Sequence, residues 1–152
     1  MADDRLDDYS CPSTCCRSKR GQENLALGRS RGGFSSKIHA LCDALGNPLK
    51  FILTPGQTSD FTQALTLLEG KTATAILADK GYDADYIINA AIDMNAIAII
   101  PPKSHREVLR EYDKDIYKER NLIERMFNKL KHFRRVATRY DKLAQSFLSF
   151  VY

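Results

Sequence analysis

Two short apolar runs, at 72–78 and 96–100, constrain the fold of this chain more than any other feature. The first run is partly β-branched, and two prolines close the second. Runs of this length and composition are typical of buried strands. The segment between them, at about 84–94, has the spacing of a helix. Strand, helix and strand of these lengths predict a βαβ unit with two parallel strands.

A carboxylate stands where such a unit usually binds its ligand. Asp79 directly follows the first predicted strand and precedes Lys80 and the turn residue Gly81. Ligand-binding side chains collect at the carboxyl ends of strands in this arrangement. Asp79 is therefore a candidate site residue, and the alternative is that it only caps the following turn.

The sequence before this unit predicts a β-hairpin at 36–54, with its turn at Gly46, Asn47 and Pro48. A helix at 60–69 should follow, capped by Ser59 and ended by Gly70. Its predicted core face comprises Phe61, Ala64, Leu65 and Leu68. The glycine-rich segment GRSRGGFSSK is expected to form a loop whose Arg29, Arg31 and Lys37 could contact phosphate.

A second carboxylate lies in the segment YKERNLIERMFNKLK, at 117–131. One helix over this segment would place four of its polar residues on one stripe, beside an apolar ridge that packs on a core. The stripe consists of Tyr117, Arg120, Glu124 and Lys131, and the ridge of Ile116, Ile123, Phe127 and Leu130. Glu124 would then lie at the edge of a buried face, although such stripes are often merely solvated.

Positive charge is concentrated in and after this helix. The chain has a net charge of +4, and residues 102–142 hold 13 Lys or Arg against 7 Asp or Glu. Such a dense cationic segment, with aromatic residues between the charges, is typical of phosphate-backbone binding. We expect DNA contacts from Lys129, Lys131, Arg134, Arg135 and Arg139.

Length and composition exclude several classes of protein. At 152 residues with 43% hydrophobic content, the chain suits one cored domain. No apolar run approaches the roughly 20 residues of a membrane-spanning helix, and the acidic start does not resemble a signal peptide. We therefore expect a cytoplasmic protein with no membrane partner. The cysteines lack the paired C-x-x-C spacing of a zinc site and the pattern of a disulfide framework: Cys11, Cys15, Cys16 and Cys42.

Asp79 and Glu124 together could bind divalent cations if the fold brings them close. Carboxylate oxygens suit Mg²⁺, which keeps water and phosphate oxygens as its other ligands. Two metal ions about 3.5–4 Å apart can stabilise the attacking and leaving oxygens of phosphoryl transfer. The pair thus indicates metal-dependent chemistry on a phosphate backbone.

Several motifs resemble those of the DDE transposases of bacterial insertion sequences. The stripe matches the family signature Tyr-x2-Arg-x3-Glu-x6-Lys at every spacing, and ADKGYD is similar to the motif of the second catalytic aspartate. GRSRGGFSSKIHA, ALGNPLKFILTPGQ and KHFRRVATRYDKL also resemble family segments. The resemblance implies a ribonuclease H-like α/β fold, a mixed sheet flanked by helices. It also implies catalytic roles for the signature residues and Asp79, and DNA cleavage and strand transfer with Mg²⁺ or Mn²⁺.

The resemblance covers residues 21–152 and departs from the family at 1–20. The family's first catalytic aspartate lies on a strand in an Asp-Ser-Thr-like motif, and DDYSCPSTCCRSKRG does not match it. Asp7 and Asp8 could be nominated without support from their neighbours. We expect 1–20 to be poorly ordered and the sheet to lack its first strand. The chain would then be the C-terminal part of a catalytic domain, either a second reading frame joined to an upstream half or a decayed copy.

Two functions remain open at this point. The chain is a transposase, or its C-terminal half, acting on transposon ends and target DNA, and a homo-oligomer on the DNA is one partner that this function allows. Alternatively, it is a catalytically inactive DNA-binding fragment. A nuclease of the same fold would share the site and differ only in its products. Without the first aspartate, we predict weak metal binding and no strand transfer by residues 1–152 alone.

Overall fold

The computed structural model describes residues 2–6, 26–30, 33–106 and 109–152 of the chain. The described strands, in chain order, are β1 (Ala2–Leu6), β2 (Gly28–Ser30), β3 (Gly33–Cys42), β4 (Pro48–Pro55), β5 (Ala75–Leu77) and β6 (Ile97–Ile99). The helices are α1 (Ala64–Leu68), α2 (Asp85–Asp93), α3 (Lys114–Tyr117), α4 (Asn121–Lys131), α5 (Arg134–Ala137) and α6 (Ala144–Val151). None of the helices in these ranges is long and apolar enough to span a membrane.

The longest strand, β3, organises a four-stranded sheet. It pairs antiparallel with β1, β2 and β4, and its residue Ile38 lies opposite Leu53 of β4 and Asp4 of β1. The prediction of a hairpin at 36–54 is confirmed. The prediction of a loop before Ser36 is wrong for β2 and the start of β3, because their backbones pair with each other.

A strand also precedes the hairpin, where the sequence predicted neither order nor a strand. β1 pairs with β3 over five residues, from Ala2 opposite Ala40 to Leu6 opposite Ser36. The expectation of poor order at 1–20 did not include this strand, which gives β3 a further partner at residues 2–6. Residues 7–25, which include Asp7 and Asp8, lie outside the described part of the chain.

The β3–β4 turn is fixed by its own side chains and by α4. Asp43 Oδ1 accepts hydrogen bonds from the N–H groups of Leu45 and Asn47, both at 2.8 Å. Gly46 has a φ of +84°, which favours glycine. A Cβ on Gly46 would lie 3.5 Å from Leu122 Cβ, so the turn abuts the start of α4.

The predicted βαβ unit is confirmed, but its strands form a sheet of their own. β5 and β6 pair in parallel, with Ile76 opposite Ala98, and α2 connects them. We expected one mixed sheet containing both the hairpin and the parallel pair. In the described residues the hairpin and the parallel pair belong to two separate sheets, because no ladder joins them.

The four-stranded sheet lies between two apolar cores. On one face, Ile38, Ala40 and Phe51 pack with residues of the three C-terminal helices, among them Phe127 and Phe147. Toward the other face lies a core from α1, the βαβ unit and the turn after β5, against which Leu41 and Ile52 pack: Ala64, Leu67, Leu68, Ile76, Ala78, Tyr82, Ile87, Ala91, Ala96 and Ile100. The first core fixes α4, and the second fixes the end of β5.

The helix predicted at 60–69 is present, but its buried face differs from the prediction. It begins with a 3-10 turn at Asp60–Gln63 and continues as α1. Leu67 is fully buried, whereas Phe61 and Leu65 are exposed. The tighter 3-10 turn changes the rotation per residue, which shifts the core-facing positions of the following turn. Gly70 ends the segment at a φ of +68°, as predicted.

Candidate active site

Glu124 lies in a helix whose start is capped and whose apolar ridge is largely buried. Asp113 Oδ1 accepts hydrogen bonds from the N–H groups of Asp115 and Ile116, at 2.8 and 3.0 Å, and so caps α3. α3 continues through a 3-10 turn, Lys118–Arg120, directly into α4. The prediction of a helix from 117 to 131 is thus confirmed with one 3-10 turn inside it. The ridge is buried at Ile123 and Phe127, and Met126 joins it, while Ile116 is exposed.

The signature residues on this helix contact one another. Arg120 Nη2 donates a hydrogen bond to Glu124 Oε1 at 2.6 Å. The Arg120 guanidinium also lies 5.5 Å from the ring centroid of Tyr117, within range of a cation–π interaction. Tyr112 packs edge-on against the same ring, at 5.5 Å between centroids. Arg120 thereby holds together the aromatic and the acidic member of the stripe.

Asp79 occupies the predicted position at the end of the parallel pair. It lies two residues after the last residue of β5. Its Oδ1 accepts a hydrogen bond of 2.7 Å from the N–H of Lys80, which starts a 3-10 turn, Lys80–Tyr82. Asp79 thus does cap a turn, as the alternative interpretation held. The capping bond uses one carboxylate oxygen and is compatible with a ligand on the other.

Electrostatics connect Asp79 with the signature helix. Burial raises the pKa of the Tyr117 phenol, the positive charge of Arg120 lowers it, and the negative charge of Asp79 raises it further. Asp79 therefore acts on the ring that Arg120 covers, and Arg120 in turn contacts Glu124. Tyr117, Arg120 and Glu124 contact one another, and Asp79 is near enough for its charge to act on the Tyr117 phenol. We call these four residues the carboxylate surface: Asp79, Tyr117, Arg120 and Glu124.

The donor types on this surface suit a hard divalent cation, but the described donors are few. Asp79 is half-buried and Glu124 is exposed, with 47% of its side chain accessible. Carboxylate oxygens of this kind are the ligands that Mg²⁺ and Mn²⁺ prefer. Within the described ranges, no three His, Cys, Asp or Glu residues come together as a metal-binding group. Asp79 and Glu124 thus have the donor chemistry of metal ligands, but as a pair they fall short of such a group.

A network that sequence reasoning missed ties the segment before α3 to the turn after Asp79. The Asp83 carboxylate is fully buried and accepts hydrogen bonds from the Lys103 N–H at 2.8 Å and from Arg106 Nε at 2.7 Å, and it also contacts Arg110. Burial alone would raise the pKa of Asp83, but these hydrogen bonds and the two guanidinium groups hold it below its usual value. Asp83 thus fixes the chain that leads into the signature helix. Its position two residues after Gly81 carried no signal of these distant partners.

The predicted DNA-contact residues fall into two groups. Lys129, Lys131 and Arg134 are exposed at the end of α4 and the start of α5. Arg135 is half-exposed, but it stacks on Phe150 at 3.5 Å from the ring centroid and donates to both Asp141 carboxylate oxygens at 3.3 Å. The cationic surface therefore consists of Lys129, Lys131, Arg134 and, in part, Arg135.

The expectation that Arg139 and Lys37 contact phosphate is corrected by the structure, because neither side chain is available to phosphate. Only 2% of Arg139 is exposed, and its guanidinium donates to the Asp141 and Lys142 carbonyl oxygens, both at 2.9 Å, and to Ser36 Oγ. Lys37 is buried, and its ammonium contacts Asp60. Each cation is bound inside the protein by partners that the local sequence could not reveal.

A cavity of about 500 Å³ lies between β5 and the inner side of the signature helix. Its wall is largely apolar and includes Leu41, Ile76, Ile116 and Ile123, with Arg120 at the polar side. Asp79 and Glu124 are not among its lining residues. The cavity is thus separate from the carboxylates and does not locate a metal.

Comparison with known proteins gives one consistent result. A family model described as "Transposase DDE domain" matches residues 12–151. A Brucella ovis protein named as a transposase for insertion sequence element IS6501 is 41% identical over 120 residues, covering 78% of this chain and 92% of that protein. A Burkholderia cepacia protein named as a transposase for insertion sequence element IS402 is 30% identical over 128 residues, covering 76% of this chain and 57% of that protein. No solved structure is significantly similar.

Proposed function

The chain belongs to the family of transposases with a DDE domain, and we propose that it carries part of the active site for metal-dependent DNA cleavage and strand transfer at insertion-sequence ends. The observation that carries this proposal is the carboxylate surface. Asp79 follows a parallel strand, and its charge acts on the Tyr117 phenol. Arg120 lies over the Tyr117 ring and donates to Glu124. Glu124 stands at the glutamate position of the family signature, and Asp79 lies in ADKGYD, which is similar to the motif of the family's second catalytic aspartate.

Asp79 and Glu124 would hold Mg²⁺ or Mn²⁺. A metal bound there supplies Lewis-acid stabilisation of the phosphate oxygens during displacement. Arg120 carries a positive charge beside Glu124 and can contact the scissile strand. Lys131 lies about two turns beyond Glu124 on the same helix, where it can bind a neighbouring phosphate. The exposed cations at the end of α4 would then hold the backbone of the same DNA.

A second candidate function is DNA binding without catalysis. The lack of a third metal-binding group among the described residues favours it for this chain taken alone. Catalysis would need a third ligand from outside the described residues, such as one from an upstream partner half. The two functions share the cationic surface and differ in metal affinity and in joined products.

Titration with Mn²⁺ tests the proposal. A ligand at ten times its dissociation constant stabilises the folded state by about 1.4 kcal/mol, so the parent should melt at a higher temperature with Mn²⁺ than without it. Asp79→Asn and Glu124→Gln should each remove this stabilisation. Glu119→Gln, on the same helix and exposed, is the matched control and should retain it.

The same preparations separate the two candidates. A duplex bearing an insertion-sequence end is incubated with Mn²⁺ and the parent chain, and joined products are resolved by electrophoresis. We expect binding without joining. Robust joining by residues 1–152 would show that the chain supplies every ligand itself. An unchanged Mn²⁺ effect in both carboxylate variants would remove the proposed site.

A further inference from the structure

A buried lysine in the sheet is bound to the start of the 3-10 turn before α1. Lys37 lies on β3 with only 4% of its side chain exposed. Its ammonium is 2.6 Å from Asp60 Oδ1 and donates to the Thr58 carbonyl oxygen at 2.9 Å. A buried charge is costly unless it is paired and hydrogen-bonded, so both contacts are needed to keep the ammonium in place. The pair therefore fixes Asp60 against the sheet.

The second oxygen of the same carboxylate faces the turn that follows Asp79. A Cβ built on Gly81 would lie 3.3 Å from Asp60 Oδ2, which is tighter than most Cβ contacts. Gly81 is in the middle of the Lys80–Tyr82 turn that Asp79 caps. The carboxylate of Asp60 thus contacts Lys37 with one oxygen and borders the Asp79 turn with the other.

Two further hydrogen bonds involve these two turns. Tyr86 Oη donates to the Phe61 carbonyl oxygen at 2.6 Å, which joins α2 to the turn that begins at Asp60. The Tyr82 N–H donates to the Asp79 carbonyl oxygen at 2.9 Å, which closes the capped turn. The position of the Asp79 backbone is therefore connected to the sheet through Asp60 and Lys37.

We propose that Lys37 and Asp60 are positioning residues, and that their buried ion pair holds the Lys80–Tyr82 turn in the geometry that places Asp79 on the carboxylate surface. The inference rests on the proposed function, because it assigns the pair a role through Asp79. It explains why a glycine follows Lys80: a larger residue at 81 would press on the Asp60 carboxylate. It also explains why a lysine occupies a buried position of β3.

Hydrogen exchange and Mn²⁺ affinity test this role in Asp60→Asn, which keeps the side-chain shape and removes the charge. The amides of Lys80 and Tyr82 should exchange at least about tenfold faster, while those of α4 and α6 keep their parent rates. Mn²⁺ affinity should fall about 10- to 100-fold, as for other residues that orient a metal ligand. Lys37→Met should have the same effects.

Lys50→Met is the matched control. Lys50 lies on the neighbouring strand and also donates to a backbone carbonyl, that of Thr66, but it does not contact the Asp79 turn. Its loss should leave both measurements at parent values. Equal changes in Lys50→Met and Asp60→Asn would show a general loosening of the fold and overturn the inference.

A double-mutant cycle tests the contact itself if Lys37→Met does not fold. Gly81→Ala in the parent should speed exchange at Lys80, because its Cβ meets the Asp60 carboxylate. In an Asp60→Ala background the same change should have a smaller effect. Additive effects would show that Asp60 does not border the turn and would overturn the inference.

The two proposals fail in different ways. If the parent does not bind Mn²⁺, the proposed function is wrong, and the exchange rates and the cycle still decide whether the pair holds the turn. If the parent binds Mn²⁺ and Asp60→Asn changes neither affinity nor exchange, the proposed function stands and the positioning role is wrong.

Discussion

Arg120 Nη2 lies 2.6 Å from Glu124 Oε1, one helical turn away. The arginine side chain is 23% exposed and the glutamate 47%, so the pair is partly solvated. The carboxylate proposed to bind a cation thus has a positive charge beside it. Arg120 would therefore compete with a metal ion for Glu124. Its positive charge could also bind a phosphate.

Arg120→Ala should raise Mn²⁺ affinity about two- to fivefold, since a partly exposed ion pair contributes up to about 1 kcal/mol. The free energy of unfolding should change by less than about 0.5 kcal/mol. Isothermal titration and urea denaturation measure the two quantities. Lys118→Ala breaks another exposed pair of the same segment, with Asp115, and should leave the affinity unchanged. A fall in affinity in Arg120→Ala would mean that Arg120 supports the metal site.

Replacing Arg134 and Arg135 together by Ala should weaken binding to any DNA duplex to a similar degree. Each phosphate contact contributes about 0.9 to the slope of log K against log salt concentration, so the slope should flatten by up to about two units. Arg135 also stacks on Phe150, which makes a loss between one and two units the expected result. Affinity is measured for an insertion-sequence end and a scrambled duplex at several salt concentrations.

The exposed lysines Lys71 and Lys118 serve as the control pair for this experiment. Their replacement by Ala removes the same charge from other parts of the surface and should leave the slope near the parent value. Equal slopes for the parent and the arginine variant would show that Arg134 and Arg135 do not contact phosphate.

Arg139→Ala should destabilise the fold by about 3 kcal/mol, because it leaves buried carbonyl oxygens without a donor. The affected acceptors lie far apart in sequence, at Ala26, Asp141 and Lys142. Urea denaturation measures the change. Arg134→Ala is the exposed counterpart and should cost less than about 0.5 kcal/mol. A stable Arg139→Ala variant with weakened DNA binding would restore Arg139 to the cationic surface.

Stability should fall as pH is lowered from 7.5 to 5, partly because of His39. This residue is fully buried, its Nε2 bonds Thr54 Oγ1 at 2.8 Å, and its Nδ1 has no hydrogen-bond partner. Burial lowers the pKa of His39 from 6.5 to about 4, so the unfolded chain binds the proton at a pH where the folded chain does not. Because the unfolded chain takes up this proton first, the free energy of unfolding falls by about 2 kcal/mol between pH 7.5 and pH 5.

His39→Gln should remove that part of the pH dependence. Urea denaturation of the parent and the variant at pH 7.5 and 5 gives the two differences in unfolding free energy. The difference should be smaller in the variant by about 2 kcal/mol. Identical pH dependence in both proteins would show that His39 takes up its proton as easily in the folded chain.

The local sequence predicted those parts of the fold and site that depend on local patterns. The strand before Asp79 and the helix of Glu124 follow from an apolar run and a helical stripe, and both are confirmed. The burial of the Lys37 and Arg139 side chains depends on contacts with residues far along the chain. In a strand whose polar and apolar residues alternate, a lysine is expected to face solvent. Here the second core covers that face of β3 as well. The separation into two sheets likewise depends on which strand edges meet, which periodicity does not specify.

The contact between Gly46 and Leu122 restricts how this family member can change in length. Hairpin turns usually accept inserted residues, because their tips project into solvent. Here the tip faces the residue two positions before Glu124, and a Cβ on Gly46 would stand 3.5 Å from Leu122 Cβ. A longer turn would push on the helix that carries the second carboxylate. Chains that retain activity should therefore keep this hairpin at constant length, while tolerating insertions at loops that do not touch α4.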